Sequence, residues 1–161
     1  MAVHRERRVL VLAISLLAGC ASGRANLGPD RPASVAVVIR SEAEAPAAQR
    51  AIDELLGPER PEAVLAREVG RMLRARGYRT PAAPGPGDAV LELVIGRMDL
   101  SALRALGQVE VDLAATLRGA DGATLWQATR EGPTPVQVYR AQNDWAPHLR
   151  TAARQLLGGM P

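Results

Sequence analysis

Between Gln108 and Arg118, apolar and polar residues alternate almost without interruption. Val109, Val111, Leu113, Ala115 and Leu117 fall on one face; Gln108, Glu110, Asp112, Thr116 and Arg118 fall mainly on the other. A period of two marks a strand buried on one side only. Asp121-Gly122 follows, a dipeptide that signals a two-residue type I′ hairpin. Ala123 to Glu131 supplies the returning strand. That hairpin sets Leu117 opposite Trp126 and Ala115 opposite Ala128, which keeps the indole on the apolar face. Upstream, Ala89 to Leu100 reads as a further strand, and the β-branched run Val35 to Ile39 as a buried first strand. Gly132 to Tyr139 carries two prolines and reads as a loop or sheet edge.

The period changes to that of a helix in two places. From Pro61 to Arg76, Leu65, Val69, Met72 and Leu73 share one stripe, while Arg67, Arg71 and Arg74 lie opposite. Pro61 suits the first turn, and Gly77 suits the residue just past the end. From Asn143 to Leu157, the stripe is Trp145, Leu149, Ala152, Ala153 and Leu156, with Asn143 or Asp144 able to cap and Pro147 tolerated in the first turn. Ala48 to Leu56 can form a short extra helix with Ile52, Leu55 and Leu56 inward. The order β-α-β-β-β-α predicts an α+β two-layer sandwich. Its sheet is mixed and mostly antiparallel, with the helices on one face.

The N-terminus follows a different logic. Arg5, Arg7 and Arg8 precede an apolar run from Val9 to Ala18, and small residues then lead into Cys20, the one cysteine of the chain. Charged, apolar, then small is the order of a secretory signal. The apolar run is about half the roughly 20 residues that a spanning helix needs. Leu17-Ala18-Gly19-Cys20 resembles the lipobox of bacterial lipoproteins. The resemblance implies cleavage between Gly19 and Cys20 and a diacylglycerol on the Cys20 thiol. Ala21, where inner-membrane members often carry Asp, implies an outer-membrane anchor facing the periplasm. The expected organisation is therefore a signal peptide over 1–19, an acylated Cys and polar tether over 20–33, and one domain over 34–161. Thirteen tether residues reach roughly 20 Å on average.

Removing the signal changes what charge implies. The chain as a whole has 20 basic residues against 17 acidic; the mature part keeps 17 Arg against 16 acidic residues. The basic pI is thus partly a property of the signal, and it does not argue for nucleic acid. All the basic residues are Arg, which matches the Ala and Pro richness of a GC-rich coding sequence. Phe is absent, so the core is built from Leu, Val, Ile and Ala around two Trp and two Tyr. The mature chain keeps one histidine, His148, one cysteine, and four serines. No catalytic triad, cofactor motif or His/Cys metal site is expected from that inventory. Gly85-Pro86-Gly87 follows no strand and reads as a turn rather than a phosphate loop.

Taken together, several segments resemble a known group. The helix ending Leu73-Arg-Ala-Arg-Gly77-Tyr78 is followed by the strand Val90-Leu-Glu-Leu-Val-Ile95, the alternating strand Val109 to Leu117, the Asp121-Gly122 turn and a C-terminal amphipathic helix. The set is similar to the YajG-type lipoproteins and, more loosely, to the LPS-assembly lipoprotein LptE and the TolB N-terminal-like domains. The similarity covers residues 60–158 and the lipobox. It implies an envelope lipoprotein of a group with no settled activity, and it carries over no catalytic residue.

Three features are candidate contacts. Arg67, Arg71 and Arg74 form a ridge suited to an anionic lipid, lipopolysaccharide phosphates or an acidic partner; a solvated helix face, with Glu68 supporting Arg71, gives the same pattern. Glu110 and Asp112 lie about 6–7 Å apart on one strand face, a spacing that can serve glycoside hydrolysis, though a polar outer sheet face needs the same residues. His148 is expected half-buried or at the surface, and Trp126 and Trp145 in the core. Tyr139 and its Pro-bearing loop form a candidate interaction surface. The expected role is that of an outer-membrane-anchored accessory to an envelope assembly or transport component. Its partners would be the membrane, through the acyl chains, and an envelope protein. Direct lipid binding through the ridge is one alternative, and a carboxylate hydrolase the other.

Overall fold

The computed structural model describes residues 24–25, 31–42, 59–135 and 144–161. In chain order these form β1 (Arg24–Ala25), β2 (Val35–Ser41), α1 (Pro61–Ala75), β3 (Ala89–Asp99), the one-turn helix α2 (Leu103–Leu106), β4 (Gln108–Arg118), β5 (Thr124–Arg130), β6 (Pro133–Pro135) and α3 (Ala146–Leu157). The strands make one sheet in the spatial order β1-β5-β4-β3-β2, with β6 beside the first residues of β4. Only β2 and β3 run parallel; every other pairing is antiparallel. Helix α1 packs on β2, α3 packs on β4, β5 and β6, and the two helices pack on each other. The fold is thus an α+β two-layer sandwich with a mixed sheet. The signal segment, Gly19, Cys20, the stretch 48–56, Tyr139 and Asn143 lie outside the described residues.

The alternation in β4 sorts its side chains as the pattern demands. Val109, Val111, Leu113, Ala115 and Leu117 are buried under the helices, and their polar neighbours face the other way. Leu117 stands opposite Trp126 and Ala115 opposite Ala128, in the expected register. The turn is different. Asp121 does not have the positive φ that a type I′ turn requires, while Gly122 does, at +81°. The Gly122 N–H bonds back to the Gly119 carbonyl, and the Gly119 N–H bonds to the Ala123 carbonyl. Register slips by one between Leu117 and Arg118. This is a turn over Ala120-Asp121 with Gly122 as the left-handed bulge residue, and the extra residue absorbs the slip. In β3 a bulge between Ile95 and Arg97 switches the inward set from Leu91, Leu93 and Ile95 to Met98. Two short elements had no periodic signal to announce them: α2, and β1, which pairs Arg24 and Ala25 with Gln127 and Trp126 inside the stretch expected to be tether.

Both long helices start and stop for local reasons. Pro61 occupies the first helical position, where its missing N–H has no intrahelical partner to lose. Past the end of α1, the Gly77 N–H bonds to the Arg74 carbonyl and the Tyr78 N–H to the Leu73 carbonyl, with Gly77 at φ +87°. That is a Schellman motif, and buried Tyr78 and Leu73 supply its apolar contact. Ahead of helix α3, whose N-cap residue is Trp145, the Asp144 Oδ1 accepts the Ala146 N–H at 3.0 Å. Leu65, Val69, Leu73, Leu149, Ala152, Ala153 and Leu156 are all buried in one core between helices and sheet, with Met72 half-buried beside them.

Candidate functional site

The ridge on α1 faces away from the sheet, yet two of its three guanidiniums are already engaged. Arg67 pairs with Glu59. Arg71 donates to Glu68 Oε1 at 2.7 Å. Arg74 meets no carboxylate among the described residues and donates to the Thr80 hydroxyl at 3.1 Å. The three residues therefore share a helix face without forming a cationic stripe.

Glu68 sits at the flank of the apolar stripe, where α1 meets α3. It is only 6 % exposed and takes a second charged hydrogen bond from Arg154 Nε at 2.6 Å. The Arg71 hydrogen bond, above all, holds its carboxyl below the usual carboxylate range; burial opposes that, and Arg154 adds to it. The intrahelical half of the clamp follows from spacing. The Arg154 half crosses 86 sequence positions and has no local signal.

Glu110 and Asp112 share the outer face of β4 as their spacing requires, and each has a partner. Glu110 pairs with Arg97 at 2.8 Å. Asp112 Oδ1 accepts the Gly132 N–H at 2.9 Å and so fastens the corner between β5 and β6. Arg130 completes that corner. Its Nη1 donates to the carbonyls of Val111 at 2.6 Å and Gly132 at 2.5 Å, and its Nη2 to that of Pro133 at 2.6 Å. Burial lowers the Arg130 pKa from its usual value, and the Asp112 charge partly offsets the effect. These side chains close a gap in the ladder where β5 hands over to β6.

His148 departs from the surface or half-buried position expected of it. It is fully buried on α3, and its Nδ1 donates to the Thr134 carbonyl at 2.5 Å. The wheel places it at the edge of the stripe, but β6 covers that edge. Its Nε2, like the Thr134 hydroxyl and Trp126 Nε1, has no hydrogen-bond partner among the described residues. Trp126 and Trp145 are both in the core. No cluster of three or more metal-ligating side chains occurs among the described residues, and no helix among them is long and apolar enough to cross a membrane.

A second group of arginines gathers where α1 ends. Arg31 lies over the Tyr78 ring, 4.4 Å from its centroid, and its Nη2 donates to the Arg76 carbonyl at 2.7 Å. Arg76 Nη2 in turn donates to the Leu157 carbonyl at 2.7 Å, and the Tyr78 hydroxyl donates to the Pro161 carbonyl at 2.5 Å. Arg31 falls within the stretch expected to be free tether, so the folded part of the chain extends upstream of residue 34.

No protein-family model matches the chain, and no curated protein matches it. Among solved structures, it is similar to PelC from Paraburkholderia phytofirmans. A single-substitution variant of that protein, described as a dodecamer, is 20 % identical, with 86 % of this chain and 93 % of that chain covered and a TM-score of 0.48. A second PelC dodecamer is 17 % identical, with 86 % and 96 % covered and a TM-score of 0.46.

Proposed function

We propose that the protein is an outer-membrane-anchored, periplasm-facing lipoprotein that acts as a non-enzymatic accessory to an envelope assembly or transport component. One observation carries this reading: the single cysteine stands at the end of Leu17-Ala18-Gly19-Cys20, behind an Arg-led apolar run. A lone thiol in an oxidising compartment is a liability unless it is consumed, and acylation consumes it. Multiple acyl chains hold a protein on a membrane firmly, because each buried methylene contributes about 0.8 kcal/mol. The similarity of residues 60–158 to YajG-type lipoproteins points to the same class.

The test is crosslinking in intact cells, followed by purification from solubilised outer membrane and mass spectrometry, for the wild-type chain and for Cys20→Ser. The wild type should begin at an acylated Cys20, fractionate with the outer membrane and crosslink to a β-barrel or transport component. Cys20→Ser should give a soluble or uncleaved form that has lost the crosslink. An unmodified Cys20, or a membrane-bound protein that crosslinks to no other protein, would overturn the reading.

A further inference from the structure

Guanidiniums and carboxylates are divided unequally between the two ends of the sheet. At one end lie the first residues of β2 and β3, the last of β4, and the C-terminal ends of α1 and α3. Five arginines stand there: Arg31, Arg74, Arg76, Arg79 and Arg118. None has a carboxylate partner among the described residues. Their neutral contacts hold them in place: Arg31 on the Tyr78 ring, Arg76 on the Leu157 carbonyl, Arg74 on the Thr80 hydroxyl, and Arg118 on the Thr124 hydroxyl at 3.4 Å. Arg76 Nη1 is buried and has no partner among the described residues.

Among the described residues, two carboxylates at this end serve their own turns. Asp88 accepts the Gly85 N–H at 2.9 Å, bonds the Ser34 side chain and feels the Arg79 charge. Asp121 accepts the Ala123 N–H at 3.0 Å. The loop from Thr80 to Gly87 adds no charge, and its residues from Ala82 onward are exposed. At the opposite end Arg67 pairs with Glu59 and Arg97 with Asp99 and Glu110, while Arg60 has no carboxylate partner among the described residues.

Strand β1 runs toward the cationic end, so the chain enters it from the Arg130 side of β5 and the anchor reaches the arginines only by turning back. Arg31 follows Cys20 by 11 positions, at most about 38 Å of extended backbone. Arg24 faces Gln127, which faces Thr116, two positions before Arg118. The four steps from Cys20 to Arg24 span up to about 14 Å, and two strand positions take up about 7 Å. The length of chain allows that reversal, so a membrane-embedded Cys20 is within reach of the surface that the five arginines share.

We propose that this end of the domain, around the C-terminus of α1, is a docking surface for the phosphate-bearing anionic headgroups of the membrane that holds the anchor. Guanidinium matches phosphate through paired hydrogen bonds, and an anionic surface attracts each nearby basic residue by about fivefold in partition. The anchor keeps the domain at the membrane, and the arginines set which end faces it. The inference rests on the lipoprotein reading for its choice of occupant; of the ridge it keeps Arg74 and drops the ion-paired Arg67 and Arg71.

The test uses residues 20–161 carrying Cys20→Ser, so that neither an acyl group nor the Arg-led apolar segment before Cys20 contributes, sedimented with vesicles. One set is phosphatidylcholine alone; the other contains roughly 30 % phosphatidylglycerol, a strongly anionic surface. The protein should prefer the anionic vesicles, and about 0.5 M salt should erase the preference, because the Debye length falls to a few ångströms. Arg74→Glu with Arg79→Glu should weaken that partition by at least about a hundredfold, and the gentler Arg79→Gln with Arg118→Gln by about twenty-five-fold. Arg76 is left intact because it also ties α1 to α3. The same reversal at the opposite end, Arg60→Glu with Arg67→Glu, should change partition by less than about twofold. Equal partition onto both vesicles, or equal losses from reversal at either end, would overturn the docking surface. Intact mass of the wild-type N-terminal peptide reports acylation of Cys20 separately. Equal partition alongside an acylated Cys20 removes the docking surface alone, whereas an unmodified Cys20 removes the anchor and this membrane with it.

Discussion

Folding takes the Glu68 carboxylate almost entirely out of water and places it between Arg71 and Arg154, whose own side chains stay more than half exposed. Such a pair is worth more than a surface ion pair, and less than a fully buried one whose breakage costs about 3–5 kcal/mol. Glu68→Gln should therefore destabilise the protein by about 1–2 kcal/mol at neutral pH. The folded-state carboxyl titrates below its ordinary value, so this stability is fully present above about pH 4.3 and is lost as pH falls through the folded-state value. Urea denaturation of wild type and Glu68→Gln should show a gap at pH 7 that closes below about pH 4. A gap unchanged down to pH 3 would mean that the ion pairs contribute nothing. At this scale, spacing made half of the clamp legible, Glu68 with Arg71. Arg154 joins because α3 crosses α1 there. His148 shows the same limit. A wheel locates it at a stripe edge, but only the presence of β6 decides that the edge is buried.

Elements follow the sequence most closely where one residue type has no substitute. Gly77 is such a residue: at φ +87° it lets the Tyr78 and Gly77 amides close onto the last carbonyls of α1. Nothing lies within 4 Å of where a Cβ would stand, so Gly77→Ala meets backbone strain and no clash. The expected cost is roughly 1–2 kcal/mol, read by chemical denaturation. A neutral substitution would show that the motif relaxes into another turn. The β4–β5 connection is subtler. Asp121-Gly122 marks a hairpin correctly, and the strand pairing beyond it holds, yet only the glycine takes the left-handed conformation. Two-residue and bulged turns share that dipeptide. The choice between them depends on how β4 must twist to keep Leu117 over Trp126, which is a property of the sheet.

The described residues share one core. It runs without a break from Trp126 on β5, beneath α3, to Trp145 at the start of that helix, and it takes in Tyr78 beyond the end of α1. Helix and sheet share these residues, so neither layer can bury its apolar face alone. Loss of indole emission and loss of helical circular dichroism should coincide along a urea titration, as in a two-state unfolding. Separate midpoints would mean that the helical layer detaches from the sheet first. Charge, too, takes on meaning only at this scale. Over residues 20–161 the 17 Arg nearly balance the 16 acidic residues, yet among the described residues folding collects five arginines without carboxylate partners at one end and sets the ion pairs of Arg67 and Arg97 at the other.

By itself, the sequence determined the α+β class, the inward set of β4 and of the two long helices, the β4–β5 register and the glycine that ends α1. Each of these rests on interactions within a few residues or on a simple period. Only the tertiary structure decided which arginines are paired, that Glu68 bridges two helices, that His148 is buried, that Arg130 seals a strand corner, and that Arg31 belongs to the folded domain. Those outcomes join positions far apart in sequence. A guanidinium's partner is set by which elements cross beside it, and no period along the chain encodes that crossing.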